Sequence, residues 1–309
     1  MAIYHTTHSY DGAKWTVNTL VKNPVWVPNL VKRLVEDMDI SQVLLRQGPN
    51  AVGGTVGYER TVALYADSEG EVVAEYGEIP MTNVPHTTPF TVQTQKRGSG
   101  FRFSEETRTR NNTGLVRDAI DKVKRALVRG KETALFDTIM ADPDALEVFS
   151  AAGWEGANSS VVADLAEAQY QVAAQGAEGA RHNEKLGNQA DTLIIHPQTE
   201  ALLIDNTEVN NIFAGSPLAS QQLRYTFKMP RQFANLTVLK AWSVPVDTAI
   251  VCQRGYMGFK SVEWPLRGTP LKYDESTQSY TSYFTYRDVM QVDNPKAVCF
   301  IRGITSGSS

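Results

Sequence analysis

Residues 113–141 read TGLVRDAIDKVKRALVRGKETALFDTIMA. Leu115, Val116, Ala119, Ile120, Val123, Ala126, Leu127, Leu135 and Ile139 recur at three- and four-residue steps, which lays one apolar stripe along a helix. Asn112 or Thr113 can cap its start, Asp118 lies near the positive end of its dipole, and Asp142-Pro143 stops it. At 1.5 Å per residue such a helix runs roughly 40 Å, enough to brace an elongated subunit. Gly130 interrupts the good helix formers and marks a bend or a close approach.

Upstream, residues 52–104 read as strand. TVGYERTVALY (55–65) and FTVQTQKRGSGFRFS (90–104) flank an acidic, Pro-containing excursion, ADSEGEVVAEYGEIPMTNVPHTTP. The expectation is one long two-stranded arm. A lone hairpin is marginal in water, so its cover must come from elsewhere, naturally from another subunit. Before it, PNLVKRLVEDMD (28–39) has the period of a short amphipathic helix. Residues 1–26 scatter Tyr4, Tyr10, Trp15 and Trp26 through polar text with no clear period.

Downstream, SVVADLAEAQYQVAAQ (160–175) is a second amphipathic helix, and GAEGARHNEKLGNQAD a polar surface loop. TLIIHP is a buried strand whose Pro197 opens the helix QTEALLIDN. LTVLKAWSVP and TAIVCQ are further strands. TQSYTSYFTYRDVMQVDNP and KAVCFIRGI read as two long strands joined at Asp293-Asn294-Pro295, expected to return beside the long helix. The α/β unit between is then an insertion.

Apolar residues make up 42% and charged residues 21%, the composition of a folded domain. A formal charge of −4, from 30 Lys+Arg and 34 Asp+Glu, lacks the basic excess of a dedicated nucleic-acid binder, yet is compatible with enclosing DNA. There is no signal-peptide pattern and no apolar run of membrane-spanning length. Cys252 and Cys299 lie in apolar text and read as buried free thiols.

Little of the sequence supports catalysis. His5 and His8 lack a third ligand, and His196, before a helix-opening proline, has a structural role. Glu69, Glu71, Glu75, Glu78, Glu105 and Glu106 are paired or clustered carboxylates, but an extended arm offers no pocket to raise one pKa. GGTVG (53–57) and RGSG (97–100) do not match phosphate-binding fingerprints. No cofactor or metal is expected.

Four phrases in order resemble the tailed-bacteriophage major capsid protein family, whose Johnson fold is shared with encapsulins and herpesvirus shells. They are VAEYGEIP (73–80) with FRFSEET (101–107), the helix at 113–141, TLIIHPQTEALLI (192–204) and YRDVMQVDNPKAVCFIRGI (286–304). The resemblance implies an α+β Johnson-type fold. It has an N-terminal arm with a short helix (1–51), an extended β-hairpin E-loop (52–104), a peripheral domain with the spine helix (105–149 and 266–304), a mixed α/β axial domain (150–265) and a flexible tail (305–309). It implies a non-enzymatic shell protein, assembled in the host cytoplasm into hexamers and pentamers of an icosahedral virion capsid around double-stranded DNA. Its partners would be itself, a portal protein, and separate scaffolding and decoration proteins where they exist. An encapsulin-like compartment is the alternative, and an α/β enzyme or ligand-binding domain a weaker one.

About fifty residues precede the E-loop, where some members carry a helical scaffolding segment of about a hundred, so the expectation is that a scaffold is either separate or unnecessary. No Lys occurs from Thr55 to Pro89, so no Lys–Asn cross-link is expected from that loop. Charge sign suggests that Glu69, Glu71, Glu75 and Glu78 of one copy meet Arg102, Arg108, Arg110, Lys122 or Arg125 of another.

Overall fold

The computed structural model describes residues 16–51, 53–60, 72–81, 89–155, 159–174, 188–214 and 232–305. The first part of the chain forms α1 (Val17–Lys22), α2 (Trp26–Asp37), α3 (Ser41–Leu44), β1 (Arg46–Gln47), β2 (Thr55–Tyr58), β3 (Phe90–Gln93) and β4 (Gln95–Ser104). Next come α4 (Glu105–Thr109), α5 (Thr113–Met140), β5 (Leu146–Phe149), α6 (Val161–Ala174), β6 (Thr192–Ile195), α7 (Pro197–Asp205) and α8 (Thr207–Ala214). The remainder is β7 (Gln232–Phe233), β8 (Leu236–Lys240), β9 (Thr248–Cys252), β10 (Gly258–Gly268), β11 (Lys272–Asp274), β12 (Ser279–Val292), a short 3-10 turn and β13 (Val298–Arg302).

The chain divides into two compact units. The first takes 1–39, 95–131 and 263–288; the second takes 40–94, 132–262 and 289–309. The expected long helix is present as α5. Its stripe serves two cores in turn. Val116, Ile120, Val123 and Leu127 belong to the first unit's core, and Leu135, Phe136 and Ile139 to the second's.

In the first unit, β12 pairs antiparallel with β4 over Ser279–Asp288 and with β11 over Ser279–Thr281. Alternation decides the faces. Tyr280, Phe284 and Tyr286 of β12, with Phe101 and Phe103 of β4, turn into a core shared with α5 and with Val27, Val31 and Val35 of α2. Burying each of these large side chains contributes about 1.5–3 kcal/mol. This is the expected return of a closing strand to the long helix. Helix α1, in text without a clear period, adds Val17 and Leu20 to the same core.

In the second unit a six-stranded sheet runs β5-β13-β9-β6-β8-β7. Leu193, Ile195, Ala249, Val251, Cys299 and Ile301 face Val161, Leu165, Ala168 and Val172 of α6. Ile194, Ile250, Cys252, Val298 and Phe300 face the end of α5. Both cysteines are buried and free, on opposite faces of this sheet. Strand β6 leads into α7 as read: Pro197 opens the helix, and His196 Nδ1 accepts from the Gln198 amide at 3.0 Å.

One reading needs correction. The strand read over 90–104 does not belong to the hairpin throughout. Strands β2 and β3 pair for four residues, Val56 opposite Val92. At Thr94 the chain turns away, its N–H donating to the Gly54 carbonyl at 2.9 Å, and β4 joins β12 instead. Burial of Phe101 and Phe103 rewards that choice. The residues 61–65 and most of the excursion lie outside the described residues. The two closing strands enter different sheets. Val298, Cys299, Phe300 and Ile301 are all buried, so β13 needs cover on both faces and neighbours on both edges, and it finds β9 and β5.

Strand β10 carries Pro265 and an internal Lys260, residue types that a strand interior disfavours. The Lys260 ammonium is buried and donates to Ser41 Oγ at 2.6 Å.

Candidate assembly surfaces

Within residues 72–81 of the second unit, Val72, Tyr76 and Met81 are fully exposed (103%, 101% and 97%), and Ile79 nearly so. A tight turn sets the apex: the Gly77 N–H donates to the Ala74 carbonyl at 2.8 Å, and Tyr76 is held at φ 64. A bulky residue in the left-handed region costs free energy, of order 1–2 kcal/mol. Glu75 and Glu78 flank this turn and are exposed, whereas Glu69 and Glu71 lie outside the described residues. With Val73 at 38%, five large apolar side chains in ten residues are exposed, an apolar patch uncovered among the described residues.

The second surface is the outer face of the first unit's sheet. Register places Arg102 opposite Thr281, Gly100 opposite Tyr283, Gly98 opposite Thr285 and Lys96 opposite Arg287. Lys272 also stands opposite Thr281 from β11. The glycines are required. A Cβ on Gly100 would meet Tyr283 Cδ1 at 2.8 Å, and one on Gly98 would meet the Phe284 carbonyl oxygen at 2.7 Å. The Tyr283 ring therefore lies across Gly100 while staying more than half exposed. Arg267 and Arg287 stand 5.7 and 5.6 Å from the centre of the Trp264 ring, and Arg287 bonds Glu263 at 3.0 Å. The result is a flat cationic face with two exposed aromatic rings on rigid strands.

The basic residues singled out from the sequence divide three ways. Arg102 lies on that sheet face. Arg110, Lys122 and Arg125 are exposed, the last two on α5. Arg108 is committed inside its own unit: it donates to the Tyr280 hydroxyl at 2.6 Å, to Glu105 at 3.0 Å and to Asn18 Oδ1 at 2.9 Å. The bond to Tyr280 raises the Arg108 pKa above its ordinary value, and burial raises that of the Tyr280 phenol. Glu106, fully exposed, is lowered chiefly by the hydroxyl of Ser104, the N-cap of α4. Sequence reading missed Trp264, Tyr283, Arg267, Lys272 and Arg287. The alternation of Lys96, Gly98, Gly100 and Arg102 against Phe101 and Phe103 was the available signal.

Formal charge separates between the units. The first holds 18 Lys+Arg against 12 Asp+Glu, a net of +6, and the second 12 against 22, a net of −10, which together give the −4 of the chain. Among the described residues no group of three or more His, Cys, Asp or Glu side chains is placed to hold a metal ion, and no helix is long and apolar enough to cross a membrane.

Solved structures with this architecture come from phages and from a virus-like particle. A Mycobacterium phage Bobi chain matches with a TM-score of 0.57 at 14% identity, over 87% of this chain and 89% of that one. A Gordonia phage Cozz chain matches at 0.56 and 12%, over 87% and 85%. The virus-like particle from Pyrococcus furiosus matches at 0.55 and 11%, over 90% of this chain and all of the other. These likenesses place the chain in the α+β Johnson-type capsid fold. No curated protein matches it by sequence. The family model described as phage capsid protein matches residues 87–300, from the last residues before β3 through β13. With that model spanning more than half of its length, the chain belongs to the phage capsid protein family.

Proposed function

We propose that this structural, non-enzymatic protein is the major shell subunit of a tailed double-stranded DNA bacteriophage, forming hexamers and pentamers of an icosahedral capsid around the genome. The observation that carries this reading is the apolar, strained turn of Val72, Tyr76, Ile79 and Met81. A side chain that faces water gains nothing from being large and apolar, and a left-handed tyrosine is a cost to the isolated chain. Both are explained if a neighbouring copy covers the segment. In this reading residues 52–104 supply the E-loop, and the first unit corresponds to most of the peripheral domain. Residues 150–265, nearly all of them in the second unit, supply the axial domain, and 1–51 the N-terminal arm.

The flat face of Arg102, Lys96, Tyr283 and Trp264 has the composition to receive a segment carrying Glu75 and Glu78, with Glu69 and Glu71 beside them in sequence. Aromatic anchors supply the contact area and opposite charge sets the register. Arg108 is left out of that set because its donors are used within its own unit. Subunits that exchange arms in this way bury interfaces above the roughly 2,000 Å² at which permanent assemblies begin. A portal protein would occupy one vertex, separate scaffolding and decoration proteins would join where they exist, and assembly would take place in the host cytoplasm.

Negative-stain electron microscopy of the purified chain, with and without its candidate scaffold, tests the reading. Closed particles of uniform diameter are expected. The paired change Tyr76→Ser and Ile79→Ser should leave folded subunits that no longer close. A wild-type chain that stays monomeric under all assembly conditions overturns the proposal. The likeness to the Pyrococcus furiosus virus-like particle favours one second reading, a cellular compartment of the same fold. Particle content separates the two: packaged DNA supports the first, and a protein cargo the second.

A further inference from the structure

Helix α5 presents Lys122, Arg125 and Arg129 to solvent, three and four residues apart. On a helix these steps place them within about a 60° sector and over roughly 10 Å of axis. Asp118 precedes the row by one turn, at the helix N-terminal end. Asp121 is occupied by Lys124 at 2.9 Å, and Glu132, the next acid along the helix, accepts from the Ser243 amide at 3.2 Å. Like charges at i,i+3 and i,i+4 destabilise a helix, so this row is a cost to the free subunit.

The composition of the row argues for one class of partner. Along α5 itself, Leu115 at the start and Ala126 are the exposed apolar side chains. A protein interface draws its energy from apolar and aromatic anchors at the centre of the patch, as on the face carrying Tyr283 and Trp264. A phosphate backbone needs none of these. Closely spaced cations on a rigid support are sufficient to release its counterions. The setting is favourable, because the unit bearing the row has a net charge of +6 although the chain as a whole is acidic. This assigns to phosphate two residues, Lys122 and Arg125, that charge sign alone had offered to the acidic loop.

We infer that Lys122, Arg125 and Arg129 form a sequence-independent contact for the phosphate backbone of double-stranded DNA. The identity of the polyanion rests on the shell reading; the cationic row itself does not.

The test uses soluble full-length subunits and a fluorescent 30-bp duplex of arbitrary sequence, with anisotropy followed across a salt series. Each phosphate contact contributes about −0.9 to the slope of log K against log salt. The triple change Lys122→Gln, Arg125→Gln and Arg129→Gln should therefore reduce the slope by between about 2 and 3 and leave particle formation intact. A control of equal charge change on the sheet face, Lys96→Gln, Arg102→Gln and Lys272→Gln, should reduce it by less than 1. An unchanged slope in the helix variant overturns the inference, as does an equal loss in the control, which would reduce the effect to net charge. Lost particles with DNA binding retained would make the row a protein interface and overturn it as well. Wild-type subunits that bind DNA through the row yet never close into particles would instead sink the shell reading.

Discussion

The Lys131 ammonium lies 2.8 Å from the Asp39 carboxylate, with both side chains buried in the first unit and the ammonium 5.1 Å from the centre of the Tyr286 ring. The pair bonds the second residue after α2 to the C-terminal half of α5, which are far apart in sequence. Removing one partner strands a buried charge, at a cost of about 3–5 kcal/mol, whereas neutralising both is far milder. Lys131→Met should therefore lower the melting temperature sharply, and adding Asp39→Asn should recover most of the loss. Scanning calorimetry of the two variants checks this. A double variant as unstable as the single one would show that the carboxylate is not what Lys131 serves.

Gly130, one residue earlier, has an ordinary place in the helix. A Cβ there would stand 3.8 Å from the Tyr286 hydroxyl, which is normal van der Waals contact. Neither a bend nor a close approach requires glycine at that point. Gly130→Ala should stabilise the subunit by about 0.5–1 kcal/mol, seen as a higher denaturation midpoint. Destabilisation would reveal a shape of α5, in some assembly state, that alanine cannot adopt.

Gly98 is the opposite case. Its Cβ would fall 2.7 Å from the Phe284 carbonyl oxygen and 2.9 Å from Thr285 Cγ2, so β4 and β12 would have to separate. Gly98→Ala is expected to cost about 1–3 kcal/mol and to expose the rings of Phe101 and Phe284, read as a fluorescence change and a lower midpoint.

Alkaline pH should weaken the fold over a defined window. Burial pushes the thiols of Cys252 and Cys299 and the phenol of Tyr286 up to about 12. In the unfolded chain these groups lose their protons from about 8.5 to 10. The folded state holds them longer, so the unfolded chain binds fewer protons and stability falls as pH rises between those values and about 12. Urea midpoints at pH 8, 9.5 and 11 should decline in that order. A thiol reagent at pH 8 should label neither cysteine in the folded subunit and both in urea. Rapid labelling of the native protein would contradict their burial.

The long helix, the TLII strand feeding a proline-capped helix, and the fully apolar VCFI strand were legible because each signal is local. A 3.6-residue stripe, a proline at N1 and a run without polar residues act through neighbours in the chain. The charge division between the units was hidden, because the sequence interleaves three segments of one with three of the other and only their sum is small. The outer sheet face was hidden for the same reason. Lys96, Arg102, Lys272, Tyr283 and Arg287 come from three strands that hydrogen-bond register brings onto one face, and Trp264 of a fourth lies beside Arg287.

The sequence by itself determined that this chain folds as α+β around a long amphipathic helix. It could not determine where β4 and β13 pair. A strand's edge takes whichever partner buries its side chains, and those partners, β12 for one and β9 with β5 for the other, stand next to it only after the chain has folded.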